Sequence, residues 1–432
     1  MSWAGRRRWL ICALIFAATT INYVDRQILS LVKEFLDLQF HWTKADYGLV
    51  NSLFQISYGL GMIFFGWLVD RVGVRAGYAL SMIGWSVAAM AHALAQRVPE
   101  TAALAVAVFG TCRVLLGFAE GGNFPTAIKA AAQWFPKRER AFATGIFNSG
   151  TNVGALVAPL VVPALALRYG WPAPFVLIGA IGFIWLAFWA CLYESPEKDP
   201  AVTREELAHI LSDREPARRG AAIPWLSLLR YRQVWGFAVA KFLTDPVWWF
   251  FLIWLPDYFL TTRGLDIKHS WPLLVAIYGI ISVLSVFGGW ATGHLAGRGW
   301  PLTRARKAGL LACALCMPPV FFATRVGPWA AVALIALAGS AQQAWSVNLF
   351  STVSDIFPKD AVASVVGIGG LAGALGGMLC PYLTGRLLDR YQALGDATAG
   401  YAILFSICAF AHLTAFALNH LLAPSYEPVA IN

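Results

Sequence analysis

Twelve apolar stretches, each near the twenty residues or so that cross a bilayer, run along the chain as six, a polar break and six more. They fall near 9–32, 45–69, 76–96, 101–134, 140–167 and 172–193, then 233–261, 270–297, 304–325, 328–355, 361–388 and 397–422. In lipid every backbone N–H and C=O must be satisfied inside its own segment, so stretches of this length are read as helices. Composition agrees: 58% of the 432 residues are hydrophobic and 13% charged, against about half and about a quarter in soluble domains. With 28 Phe, 19 Trp and 13 Tyr the chain is no disordered polymer either. The expected fold is all-α and integral to the membrane, with the lipid bilayer as its first partner.

The break, residues 194–232, holds 14 charged side chains and divides the chain into an N-terminal half, residues 1–193, a linker, residues 194–232, and a C-terminal half, residues 233–432. Thr203, three residues before Glu206, has the spacing of a capping box, so a short surface helix is expected there. Shifting the chain by 222 residues lays Phe135-Pro136-Lys137 on Phe357-Pro358-Lys359, Gly154 on Gly376, Pro159 on Pro381 and Arg168-Tyr169 on Arg390-Tyr391. Six spans followed by six related ones in the same orientation imply two pseudo-symmetric six-helix bundles, twelve transmembrane helices in all, with a pathway between them.

The net charge of +10 does not point to nucleic acid, because the Lys and Arg residues sit in short runs between apolar stretches. With both termini placed in the cytoplasm, 20 Lys and Arg fall on the inside and 9 on the opposite side, so the termini and the linker are assigned to the cytoplasm of a cell (inner) membrane. Arg6-Arg7-Arg8 ahead of an apolar run imitates a signal peptide but reads as the start of the first span, since no polar mature region follows. The seven cysteines all lie in apolar segments and read as small core residues; Cys313 and Cys316 have no second pair to make a metal site.

Between the second and third spans stands Gly66-Trp67-Leu68-Val69-Asp70-Arg71-Val72-Gly73-Val74-Arg75. This resembles the loop signature of the major facilitator superfamily, Gly-x-Leu-x-Asp-Arg-x-Gly-x-Arg. A decayed copy, Gly293 to Arg298, occupies the equivalent place in the second half. The resemblance implies the major facilitator fold and assigns Gly66, Asp70, Arg71, Gly73 and Arg75 to conformational gating. Asn22 to Arg26 in span one, Arg113 with Glu120 in span four, and Trp134-Phe135-Pro136 resemble the anion:cation symporter family within it. Phe242 to Pro246 with Trp248 is similar to the hexuronate transporters, while the Asp25-Arg26 pair is shared with sugar-acid relatives such as galactonate transporters.

Charges inside spans cost about 2.5–3.5 kcal/mol each on insertion scales, so a chain that keeps several uses them. Arg26 and Arg113 are the candidates for holding an anion, because a guanidinium stays charged and meets a carboxylate with a two-pronged fork. Arg113 and Glu120, seven apart, share one helix face, whereas Asp25 and Arg26 diverge by about 100°. By resemblance Asp25 and Glu120 are the proton-coupling carboxylates, Arg26 and Arg113 the substrate-carboxylate ligands, and Tyr23 and Tyr58 hydroxyls near the substrate. Trp248 is a second-half candidate for stacking on a sugar. Asn148, Thr151 and Gln342, polar groups in apolar spans, either line the cavity or join helices; they complete the candidate list.

The expected function is secondary active import of a sugar acid, a hexuronate such as glucuronate or galacturonate, by proton symport with alternating access. The alternatives are an aldonate such as galactonate, a small carboxylate, or export of hydrophobic compounds, which two fixed positive charges disfavour. No catalytic arrangement, metal-ligand spacing or nucleotide loop appears, so neither an enzyme nor a cofactor is expected beyond the coupling proton. One pathway per chain makes a monomer the expected assembly.

Overall fold

The structure, a computed structural model, describes residues 6–97, 99, 101–212, 225–297 and 300–427. All regular elements among them are helical: α1 Arg6–Leu31, α2 Lys33–Phe40, α3 Lys44–Ala91, α4 Ala102–Glu120, α5 Asn123–Trp134, α6 Lys137–Tyr169, α7 Pro172–Leu192 and α8 Arg204–Leu211. They continue as α9 Trp225–Leu228, α10 Arg232–Arg263, α11 Ile267–Gly297, α12 Leu302–Leu315, α13 Pro328–Ile356, α14 Lys359–Ala393 and α15 Ala397–Leu422. Short 3₁₀ turns, His92–Arg97 and Pro318–Phe322, extend α3 and α12.

Among the described residues ten helical stretches are long and apolar enough to cross a membrane. One of them, Lys44–Arg97, covers 54 residues, and at 1.5 Å per residue that is roughly 80 Å, more than twice the hydrocarbon thickness. It holds two spans, joined where Gly73 leaves the helix with φ 82° and ψ 167°, a conformation open to a residue without Cβ. The expected fourth span is likewise two helices, α4 and α5, interrupted at Gly121 and Gly122 immediately after Glu120. Leu60, Ile63, Leu115, Ile184 and Phe188 are each more than half exposed, a surface that suits acyl chains and not water.

The chain divides into two compact units: residues 1–42 with 53–218, and 43–52 with 219–432. In the first, α1 lies against α6 closely enough that a Cβ on Gly154 would sit 2.6 Å from the Thr20 carbonyl oxygen, and one on Gly150 would sit 2.7 Å from that of Phe16. Two glycines four apart make a flat helix face, the device by which membrane helices approach. The second unit repeats it: a Cβ on Gly376 would sit 2.4 Å from the carbonyl oxygen of Phe242 on α10. Gly154 to Gly376 and Thr20 to Phe242 are both shifts of 222 residues, so the repeat seen in the sequence is carried into the helix contacts. Gly376→Leu is expected to lower the melting temperature by several degrees, since overpacking costs about 1–3 kcal/mol; a thermal scan in detergent checks it.

Residues 43–52, the first turns of α3, are held inside the second unit. The Asp389 carboxylate accepts from the backbone N–H groups of Lys44 and Ala45 at 2.9 and 2.8 Å, an acidic cap on the positive end of the helix. Lys44 Nζ pairs with Asp257 at 2.6 Å, and Tyr401 donates its hydroxyl to the same carboxylate. Two glycines make room: a Cβ on Gly385 would meet the Lys44 carbonyl oxygen at 2.2 Å, and one on Gly48 that of Pro381 at 2.3 Å.

The linker helix α8 belongs to the first unit. Thr203 Oγ1 accepts from the Glu206 N–H at 3.1 Å, as the capping spacing predicts. The return bond of a capping box is replaced, for Glu206 instead accepts the Arg8 N–H at 3.1 Å. Arg7 pairs with Asp199 at 2.8 Å and Arg75 with Glu194 at 2.7 Å, which ties the start of α1 and the signature loop to the linker. At the same end burial pushes the phenol of Tyr193 up, and it donates to Gln133 Oε1 at 2.8 Å. Of the cysteines Cys12, Cys112, Cys313 and Cys408 are buried as expected of core residues, but Cys191 is exposed on α7, so an apolar stretch does not by itself make a core position.

Candidate functional site

Four ionisable side chains converge in the first unit. Arg26 on α1 and Glu120 at the end of α4 form a 2.8 Å ion pair, with Arg26 Nε donating to Glu120 Oε2; the arginine is 8% exposed and the glutamate 0%. The guanidinium carbon of Arg26 lies 4.3 Å from the ring centre of Tyr58, 4.9 Å from that of Tyr23 and 5.4 Å from that of Phe54. Arg113 also lies 5.4 Å from the Phe54 ring, so one phenylalanine serves both guanidinium groups. Phe54 stacks in turn on Tyr58 with ring centres 6.0 Å apart and planes at 14°.

Helix geometry assigns the neighbours different duties. Asp25, one residue before Arg26, turns to another helix and accepts from Trp85 Nε1 on α3 at 2.7 Å, with its second oxygen buried and without a donor among the described residues. Arg113 and Glu120 are both buried, two turns apart on α4, and Arg113 acts electrostatically on both Asp25 and Glu120. Two arginines and two carboxylates thus make a group with no net formal charge, placed where an isolated charge would be costly.

The other candidates are dispersed. Asn148, exposed, and Thr151, buried, stand on α6 outside the hydrogen-bonded cluster. In the second unit Trp248 is buried on α10. Gln342 is 3% exposed and its amide is engaged: Nε2 donates to the Thr244 carbonyl at 3.0 Å, and Oε1 faces Nε2 of His412. With the amide nitrogen turned to Thr244, His412 Nε2 must be the donor, and the amide joins α10, α13 and α15. Under the 222-residue shift Arg26 falls on Trp248 and Glu120 on Gln342, so the charged pair of one unit has an indole and an amide as its counterparts in the other.

The signature loop forms its contacts inside the first unit. Asp70 pairs with Lys129 at 2.5 Å, while Lys129 also donates to the Val69 carbonyl at 2.9 Å. Arg71 lies 4.3 Å from the Trp67 ring centre, and Arg75 reaches the Ala190 carbonyl at 2.6 Å beside its pair with Glu194. Gly66 is helical with open space around it, and Gly73 makes the break. The equivalent residues of the second half, Gly293 to Arg298, lie outside those whose side chains are described. The sequence reading names none of Lys129, Trp85, Phe54, Lys44 and Asp257 among its candidates. Of these only Lys129 carried a signal, a lone cation in an apolar run with an acid on the loop it adjoins. Among the described residues no three His, Cys, Asp or Glu side chains gather as metal ligands would.

The profile of the Major Facilitator Superfamily matches residues 15–381. Curated relatives include the hexuronate transporter of Escherichia coli strain K12, 29% identical over 413 residues and covering 93% of this chain and 90% of that protein. The D-galactonate transporter of Escherichia coli O6:H1 is 31% identical over 408 residues, 90% of each. In fold the chain is similar to the crystal structure of a D-xylose–proton symporter, with a TM-score of 0.76, 15% identity and 98% and 99% of the two chains covered. A bacterial homologue of the human lysosomal transporter Spinster gives 0.75 at 18% identity over 98% of each chain. The matched length, the helical architecture and the signature loop together place this chain in the major facilitator superfamily, as a multi-pass membrane transporter and not an enzyme.

Proposed function

We propose that the protein imports a sugar acid, a hexuronate such as glucuronate or galacturonate, together with protons by alternating access. The observation that carries this reading is the buried Arg26–Glu120 pair faced by Tyr23 and Tyr58. A guanidinium held by a carboxylate, beside two phenols, has what a polyhydroxylated carboxylate needs: a charged fork for the acid group, hydroxyls for the sugar hydroxyls and ring faces for its C–H surface. An anion entering alone would leave an unbalanced charge in a low-dielectric group that is otherwise neutral. If Glu120 yields Arg26 to the substrate and takes up a proton, the group stays neutral, and this links the two movements. Asp25, on the neighbouring face beside Trp85, is the second carboxylate proposed to carry a proton.

The relatives support the substrate class, being transporters of hexuronate, D-galactonate and, from Dickeya chrysanthemi, galacturonate. The second reading, an aldonate such as galactonate, is favoured by the 31% identity to the galactonate transporter. We place both termini and the linker in the cytoplasm from the Lys and Arg bias, take 1–193 and 233–432 as the moving halves joined by 194–232, and take the monomer as the working unit.

The test is uptake of labelled glucuronate into proteoliposomes with and without an inward proton gradient, competed by galacturonate, galactonate, glucose and a dicarboxylate. Gradient-driven uptake blocked by sugar acids and indifferent to glucose is the expected result, and the order of competition ranks the substrates. Uptake that ignores the gradient would overturn the proton coupling, and competition by glucose would overturn the anion site.

A further inference from the structure

At the end of the first unit away from α8, a groove of about 760 Å³ opens on the outer surface between the 3₁₀ turn His92–Arg97, the end of α6 and the start of α7. Its volume is that of a small-molecule site, for which roughly 300–1,000 Å³ is usual. Small residues hollow it: Ala93 and Ala173 line it, and Gly170, with φ 85°, turns the chain sharply between α6 and α7. Its sides are aliphatic, with Leu94 57% and Leu177 44% exposed, surfaces that membrane contact would cover. Its rim is polar and cationic, formed by Gln96, Arg97 and Tyr169.

The groove also straddles a boundary. Arg97 and Tyr169 are the last residues, and Pro172 the first, of three membrane-crossing stretches, so the aliphatic portion faces hydrocarbon and the rim faces the headgroup layer. Arg97 is exposed and joins no ion pair among the described residues. Arg168, a second exposed cation, lies beside the rim with its guanidinium carbon 5.4 Å from the Tyr169 ring centre. An aliphatic slot that ends in an exposed cation at headgroup depth fits an acyl chain that ends in a phosphate.

We propose that this groove is a binding site for an anionic phospholipid, which lays one acyl chain along Leu94 and Leu177 and sets its phosphate against Arg97. One arginine near an anionic lipid surface contributes about 1 kcal/mol, so phosphatidylglycerol is expected to be preferred about fivefold over phosphatidylcholine. The site lies apart from Arg26 and Glu120, and the proposal does not depend on what the protein transports.

Native mass spectrometry of the purified chain in detergent, titrated with phosphatidylglycerol or phosphatidylcholine of the same chain length, reads the preference directly. The wild-type protein is expected to retain one phosphatidylglycerol about fivefold better. Arg97→Gln, on an exposed rim that the fold does not lean on, should abolish the preference and leave the melting temperature unchanged. Ala173→Trp, which fills the groove, should remove one bound lipid of either kind. Equal retention of the two lipids by the wild-type protein, a preference that survives Arg97→Gln, or a lipid count unmoved by Ala173→Trp would each overturn the proposal.

Discussion

Uptake by an Arg26→Ala protein is expected to fall at least about a hundredfold at every pH, because the loss of a charge-assisted partner to a buried carboxylate costs several kcal/mol. The same change strands Glu120, which is fully buried and has Arg26 as its ion-pair partner at 2.8 Å. Breaking a buried pair from one side costs about 3–5 kcal/mol, so the single variant should also melt earlier. The two effects separate in the double variant Arg26→Ala with Glu120→Gln, which removes both charges of that pair together and keeps Arg113 and Asp25 in balance: stability should return and uptake should not. Melting curves alongside proteoliposome uptake decide it. Recovery of uptake in the double variant would mean that Arg26 holds the helices together and not the substrate.

Glu120→Gln alone should uncouple transport without stopping it. The amide keeps the size of the side chain and an oxygen for Arg26 Nε, but it cannot take up and release a proton. An inward gradient of one pH unit drives about tenfold accumulation for each coupled proton, and this component should vanish. Exchange of labelled for unlabelled substrate across a membrane with no gradient should persist, since it requires the anion site and not the coupling. Accumulation at the wild-type level would assign the coupling elsewhere, Asp25 first.

The charges of this site were legible because apolar spans tolerate few of them. Arg26, Asp25, Arg113 and Glu120 stand out because no other charged residue falls in residues 9–32 or 101–128, and the 100° step of a helix already separates Asp25 from Arg26. What the structure adds is the partner of each, Glu120 for one and Trp85 for the other, which no spacing within a helix specifies. Nineteen tryptophans make any single one uninformative, so Trp85 could not be singled out. Lys44 was hidden by its place at the end of a span, where a cation is normally read as a marker of topology; its pair with Asp257 depends on the fold and not on local sequence. Gln342 shows the reverse limit, since polarity in a span does not tell a lining residue from a joint between helices, and its amide is a joint. The boundary at Gly73 was legible, since the signature stands between the spans 45–69 and 76–96; what the structure adds is that the two spans run as one helical stretch broken by the backbone of that single glycine.

The 222-residue correspondence has a bearing on how such a molecule came to be. Gly154 against Thr20 and Gly376 against Phe242 are one joint made twice, which is what duplication of a half-length ancestor followed by fusion leaves behind. The charges do not follow the joint: where the first copy holds Arg26 and Glu120, the second holds Trp248 and Gln342 at the same places. Each copy must hold itself together in lipid, and the joint stands in both, whereas the buried charged pair stands in one.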